Sequence, residues 1–439
     1  MKRIYSDYAY GPGPRTNCWW DETIAAPAWP SVKDDLRVDV AVIGGGFTGI
    51  STALHLAESG VSVAVFEAQN PGWGASGRNG GFCCLGGAKL GSGSMARFFG
   101  QEATDCYFAG EAAAVDLASS LIDRFRINVD RHSQGETQLA HSARAMKSLE
   151  REAAQMEALG QDPKLVRKPE LRQAGMNGNF HGAITRPEGF ALNPRKYLFG
   201  LADAASKAGA RLYQQSPVTR VQSIGRGYDL ETPKGRVVAD KLVIATNGYS
   251  SENIPNWLSG RYMPTQSTVM VTRPMTDAEL DQQGWQSTQM AYDTRNLLHY
   301  FRLMPDRRFL FGMRGGLRSS PAAEGSIRRA LRRNFERLFP GWAHVETTHC
   351  WSGMVCLSRN LVPFVGPVPD QPGLFAGLCY HGNGVAMGTY SGYLLSKLVL
   401  DQTPDVPYSP VLRKLPKFPL GPLRRLWMPP AYAVLGLMD

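Results

Sequence analysis

Five of the ten residues from Gly72 to Gly81 are glycine, and the one charged side chain among them is Arg78. Glycine loses the most conformational freedom on ordering, so this stretch makes neither a helix nor a stable strand. Residues Gly74, Ala75, Ser76, Arg78, Asn79, Gly80 and Gly81 read instead as a loop that offers N–H donors and one cation to an extended anion. A plain surface loop is the alternative. Upstream, Gly44, Gly46 and Gly49 have the spacing G-x-G-x-x-G around Phe47 and Thr48. The first glycine makes the tight turn, the second lets a pyrophosphate approach the backbone, and the third lets a helix pack close to a strand. The helix N-terminus then binds phosphate through its free N–H groups and dipole. Glu67 closes the next apolar run, where a carboxylate accepts hydrogen bonds from both ribose hydroxyls and repels a 2′-phosphate. NADP is thereby disfavoured, while FAD and NAD both stay open on this motif. A third glycine-rich turn, Gly377 to Val385, carries His381, Gly382, Asn383 and Gly384 ahead of an apolar helical run.

The elements that must hold these residues are legible nearby. The β-branched run 38–43 predicts a buried parallel strand, and apolar residues at helical spacing over 50–59 predict a helix that stops at Gly60. The run 61–66 predicts a second strand, completing one βαβ unit. This reading also explains why the uncharged stretch 40–57 is no membrane helix: its glycines break it into strand, turn and helix. Further helices are predicted over 101–126, 142–159, 193–209 and 325–338. Short strands are predicted at 211–213, 218–224, 228–232 and 241–245, and a second, antiparallel sheet at 269–272, 299–302 and 309–311. Residues 1–35 read as a leader lying on the body. The tail, 404–439, is rich in proline and basic residues. Its Leu423-to-Trp427 segment is expected to dock on the body rather than on a membrane.

Composition narrows the class. The chain has 439 residues, 43% apolar and 20% charged, enough for a packed core in two or three domains. A net charge of +10 favours anionic ligands without fixing a fold. The arginine-rich helix 325–338 has an apolar stripe at i, i+4 spacing, so its cations read as a solvated face. Without a recognisable module, no nucleic-acid partner is expected. Seven scattered cysteines with no C-x-x-C pair argue against a zinc site and a disulfide framework. No metal is expected. The first 15 residues hold no apolar run, so a cytoplasmic location and no transmembrane segment are expected.

Taken together, Gly44 to Gly49, Glu67, the block 74–81 and the late glycine turn resemble the FAD-dependent amine and amino-acid oxidoreductases of the D-amino-acid oxidase superfamily. Within it the chain looks most similar to gamma-glutamylputrescine oxidoreductase-like proteins. Runs 243–249, 300–306, 308–312 and 351–353 match as well, and the resemblance spans roughly 37–400. It implies an α/β architecture: a Rossmann-like FAD-binding domain (36–100, 187–255 and 350–403) interleaved with an antiparallel-sheet substrate domain (101–186 and 256–349). It implies FAD as cofactor and extends the cofactor-binding set to Ala68, Val218, Ala245, Gly248, Trp351 and Val385. The turn at 382–385 would face the flavin's pyrimidine edge, where a helix N-terminus stabilises charge arriving with a hydride at N5.

The resemblance also makes the second sheet the substrate side. Arg302 and Arg314 become candidates for binding a substrate carboxylate. Tyr300, of the same parity as Arg302 and so on the same face, becomes a candidate pocket residue, and His381 a candidate to face substrate. For each, ordinary packing or solvation is the alternative. Two departures concern sarcosine-type members. Leu310 stands where they place a lysine that speeds reaction with oxygen, and Ala386 where they hold a small carboxylate with lysine. Cys350 falls where they attach flavin through a thioether, so a covalent link is a minority expectation beside non-covalent FAD.

The expected activity is oxidation of a C–N bond in an elongated amine or N-substituted amino acid. Hydride passes to the flavin, the imine hydrolyses, and electrons go on to oxygen or another acceptor. A 2-hydroxy-acid dehydrogenase or another flavoprotein is the alternative. The oligomeric state is not legible.

Overall fold

The computed structural model describes the backbone of residues 1–439 and every side chain except those of 437 and 438. Its first sheet runs in the order Phe364–Pro367, Leu374–Leu378, Gly235–Ile244, Leu36–Ile43, Val63–Phe66, Arg211–Tyr213. The last five of these strands are parallel, the first, Phe364–Pro367, is antiparallel, and the hairpin Arg220–Ile224/Gly227–Thr232 extends from Gly235–Ile244. Val40, Val42, Val63 and Val65 are buried on one face, while Ala41, Ile43, Ala64 and Phe66 are buried on the other. Burial on both faces is what the unbroken β-branched runs require. Helix Phe47–Glu58 packs against helix Ala386–Val399, where a Cβ on Gly392 would meet Ser51 Cβ at 2.5 Å. Helix Pro194–Lys207 starts where Asn193 accepts hydrogen bonds from the N–H groups of Arg195 and Lys196, with Pro194 at its first position.

The second sheet has eight strands: Thr347–Leu357, Met263–Thr272, Phe309–Arg314, His299–Leu303, Met290–Asp293, Glu136–Leu139, Gly182–Arg186 and Lys164–Arg167, in that spatial order. All pairings are antiparallel except Met290–Asp293 with Glu136–Leu139. Helix Pro321–Leu338 covers one face, laying Leu331, Phe335 and Leu338 onto Phe301, Phe309, Phe311 and Trp342. The other face looks toward the first sheet.

The packing draws the interleaving differently from the sequence in two places. Helix Gln101–Arg124 joins the first core, with Ala114, Ala118 and Leu121 in one cluster with Met387, Tyr390 and Leu394. Its alanine-rich face permits that close approach to helix Ala386–Val399. Strand Thr347–Leu357 belongs wholly to the second sheet, paired along Met263–Thr272. The boundary expected at 350 therefore cuts through a strand.

The leader docks on the glycine loop: Trp20 is buried and donates its indole N–H to Asn79 O at 2.9 Å. The tail docks through Arg424, fully buried and paired with Glu252 at 2.6 Å. All seven cysteines are free. Among the described residues, no helix is long and apolar enough to cross a membrane, and no group of three metal-ligating side chains forms.

Candidate active site

A cavity of about 370 Å³ lies between the two sheets, and the three glycine-rich turns meet on its wall. The first turn has no room for side chains. Gly44 has φ of +110°, and a Cβ there would come within 2.7 Å of Ala245 O. A Cβ on Gly49 would sit 1.9 Å from Gly44 O. Phe47 N–H, at the helix N-terminus, donates to Ser76 Oγ at 3.0 Å and so joins the first turn to the second. Glu67 is held by two backbone donors, Gly45 N–H at 2.8 Å and Gln69 N–H at 3.0 Å. Burial pushes its carboxyl up, and those donors oppose the shift. Arg78 donates Nε to Trp73 O at 2.8 Å and Nη1 to Ser352 O at 3.2 Å, while buried Nη2 has no partner. Burial holds its pKa below the usual arginine range. A buried guanidinium nitrogen without an acceptor, on the wall of a cavity cradled by glycines, fits an anionic dinucleotide.

Of the expected cofactor contacts, Gly44, Gly46, Phe47, Thr48, Glu67, Ala68, Gly74, Ala75, Ser76, Arg78, Asn79, Gly80, Val218, Ala245, Gly382, Asn383, Gly384 and Val385 line this cavity. Four others stand behind it. Gly49 packs on Gly44, Gly81 has Leu192 O 2.0 Å from where a Cβ would sit, and Gly248 packs on Met354. Trp351 is buried and donates its indole N–H to Arg78 O at 2.8 Å. These residues shape the wall without forming it.

The second sheet supplies the rest of the cavity. Gly312, Tyr300, Tyr292 and Gln138 stand in one register row across four strands, so Arg314, Tyr300, Tyr292 and Glu136 share a face. All four line the cavity. Arg314 donates Nη2 to His381 O at 2.6 Å, and Tyr300 shares a 2.9 Å hydrogen bond with Ser267 Oγ. Glu136 is buried, with Tyr292 OH at 3.4 Å and Arg186 Nη1 at 3.8 Å. Lys89, on the loop after the second glycine block, lines the cavity with its side chain exposed to solvent. The Arg314 charge, then burial, lowers its pKa to about 7.

Two expected substrate residues do not reach the cavity. His381 is 1% exposed and structural: Nδ1–H donates to Gly87 O at 2.7 Å, and Nε2 accepts from Ser358 N–H at 3.2 Å. Burial pushes it down to about 3, so the ring stays neutral. Its backbone φ of +51° turns the ring away from the cavity, leaving only the carbonyl for Arg314. Arg302 shares a face with Tyr300, but two residues along the strand is roughly 7 Å. That carries it beyond the cavity wall, where it donates to Leu192 O at 2.8 Å and His132 Nε2 at 3.0 Å. Lys89, Glu136 and Tyr292 line the cavity without a sequence signal of their own, except that Lys89 follows Gly86 and Gly87.

Cys350 packs against the aromatic core beneath helix Pro321–Leu338 and is not on the cavity wall. This geometry removes the thioether expectation. Acid precipitation of purified protein is expected to leave all the yellow colour in the supernatant; colour in the pellet would refute this placement. Leu310 and Ala386 are also buried behind the wall.

Glu111, on helix Gln101–Arg124, has its carboxyl pushed up to about 7 by burial. The unfolded chain ionises this group near its ordinary 4.5, so the folded state binds the extra proton between the two values. Stability is therefore lost as pH rises from about 4.5 to 7, by roughly 3 kcal/mol, and stays lost above. Glu111→Gln is expected to raise the melting temperature at about pH 8 while changing it little at about pH 4.5. An equal shift at both pH values would exclude the carboxyl as the cause.

Comparison with known proteins places the chain in context. A family model described as FAD dependent oxidoreductase matches residues 39–398. Probable oxidoreductase OrdL of Rhizobium meliloti is 29% identical over 407 residues, covering 92% of each chain. Gamma-glutamylputrescine oxidoreductase of Escherichia coli is 27% identical over 400 residues, 91% of each. The crystal structure of glycine oxidase from Geobacillus kaustophilus superposes with a TM-score of 0.72 at 23% identity, covering 86% of this chain and 99% of that one.

Proposed function

The chain belongs to the family of FAD-dependent oxidoreductases, and from that premise we propose that it oxidises a C–N bond in an elongated amine or N-substituted amino acid. Relatives named for gamma-glutamylputrescine and glycine support amines and amino acids as the substrate class. The observation that carries the reading is the charge pattern on the second sheet. Arg314 and Glu136 share the cavity face but lie on opposite sides of the Tyr300–Tyr292 row, roughly 14 Å apart across the strands and roughly 13 Å apart along them. Tyr300 and Tyr292 lie between them. A cation at one end and a carboxylate at the other suit a substrate with a carboxylate and a distant second ammonium. They do not suit a molecule the size of glycine.

FAD, when bound, supplies a two-electron acceptor. Glu67 would hold its ribose, the N-terminus of helix Phe47–Glu58 and Arg78 would hold its phosphates, and the turn 382–385 would lie at the ring. Arg314 binds the substrate carboxylate in bidentate fashion, and Tyr300 and Tyr292 exclude water along the chain between the charged ends. Lys89 Nζ, its pKa lowered chiefly by the Arg314 charge, takes a proton from the bound ammonium so that the amine is neutral.

Anaerobic bleaching of the flavin against a panel of amines, amino acids and 2-hydroxy acids tests the reading. Bleaching by long amines carrying a carboxylate is the expected result. Fast bleaching by sarcosine or glycine with none by longer amines would overturn the substrate class. Bleaching by 2-hydroxy acids alone would overturn C–N oxidation.

A further inference from the structure

The large apolar side chains that stand out in solvent are not scattered evenly. Leu420, Leu423, Leu426, Trp427 and Val434 are 53–64% exposed, and they fall within fifteen residues of the tail. Only six others of this kind occur among the rest of the described residues. The segment is nevertheless docked. Phe418 N–H donates to Gly260 O at 2.7 Å, Arg424 Nε donates to Tyr262 O at 2.8 Å, and Tyr432 shares a 2.7 Å hydrogen bond with Thr265 Oγ1. The Asp439 carboxylate accepts from the backbone N–H groups of Asn296 and Leu297. Inward residues fix the segment, and the apolar row faces out by construction. Monomer surfaces seldom leave such residues in one contiguous stretch without a use.

Charge selects the occupant. Arg413, Lys414 and Lys417 are exposed just ahead of the apolar row in the chain, and no Asp or Glu occurs from Val406 to Met438. Helix Met428–Met438 has eleven residues, far short of the roughly 20 needed to span a bilayer. We propose that the outward face of residues 413–436 docks the enzyme on an anionic lipid bilayer. Leu420, Leu423, Leu426 and Trp427 insert at headgroup depth, and Arg413, Lys414 and Lys417 meet lipid phosphates. Asp439, three residues beyond this segment, holds Asn296 and Leu297, next to Leu298 on the cavity wall. Docking thus sets the substrate cavity close to the lipid surface.

Sedimentation of the full-length, FAD-loaded protein with vesicles tests the proposal. Pelleting is expected with mixed phosphatidylcholine–phosphatidylglycerol vesicles, less at high salt, and little with pure phosphatidylcholine. The triple variant Leu423→Ser, Leu426→Ser, Trp427→Ser is expected to stay in the supernatant. Lys414→Gln with Lys417→Gln is expected to weaken binding about thirtyfold. Flavin absorbance and melting temperature should be unchanged in both, since the altered side chains are exposed. Failure of the wild type to pellet with anionic vesicles overturns the proposal, as does pelleting by the triple variant equal to wild type. A wild-type dimer that the triple variant converts to monomer would overturn it too, assigning the face to a second copy of the chain.

Discussion

Gly49→Ala is expected to give a protein that purifies without colour and does not recover FAD on reconstitution. The added Cβ would lie 1.9 Å from Gly44 O and 3.1 Å from Gly44 C. Both are backbone atoms of the turn, so no side chain can rotate aside. Helix Phe47–Glu58 must lift off its strand, and its N-terminus is the part that would hold the pyrophosphate. Helix Ala386–Val399 resists the shift, because Gly392 leaves no slack against Ser51 and Thr48. The strain is on the order of 3 kcal/mol or more, and the N–H groups lose their aim as well. Flavin absorbance per protein, and the melting temperature with and without added FAD, measure both losses. Gly60→Ala is the control: its φ is +79°, but a Cβ there meets nothing within 4 Å. It should cost about 1 kcal/mol and keep its FAD. A yellow Gly49→Ala protein with unchanged FAD affinity would show that the turn does not hold the cofactor.

Replacing the cavity cation has the next largest effect. Arg314→Met is expected to lower kcat/KM for carboxylate-bearing amines by about 100- to 1,000-fold, mostly through KM, because a buried charge partner is removed. An amine of the same length without the carboxylate should lose far less. Arg314 also donates to His381 O, so the variant loosens the turn that carries Gly382 and Asn383. Flavin content separates the two consequences: the substrate effect must appear in protein that is fully loaded. Arg314→Lys keeps the charge but not the fork, and should restore only part of the loss. Equal losses for amines with and without the carboxylate would remove Arg314 from substrate binding.

Much of the cofactor half was readable from residue order, because its determinants are local. The turn at Gly44 to Gly49, the carboxylate at Glu67 and the loop 74–81 are each defined by a few adjacent residues with particular backbone freedom. Eleven of the expected contacts in these three motifs line the cavity for that reason. His381 misled because the same locality applies in reverse. It sits in the right turn, yet its left-handed backbone directs the ring to Gly87 O, a contact 294 residues away in the chain. Arg302 shows the limit of parity: the correct face was predictable, but how far along the strand the cavity extends was not.

The substrate half was decided by tertiary structure. Glu136 reaches the cavity through a parallel pairing with Met290–Asp293, and Arg314 through the pairing of Phe309–Arg314 with His299–Leu303. No sequence window contains both. Lys89 acquires its low pKa only beside Arg314. Steric rules over a few residues thus determined the glycine-lined cradle proposed to take the dinucleotide. Strand register across long sequence separations, where each pairing depends on burial of the whole sheet, determined which charges share the cavity face.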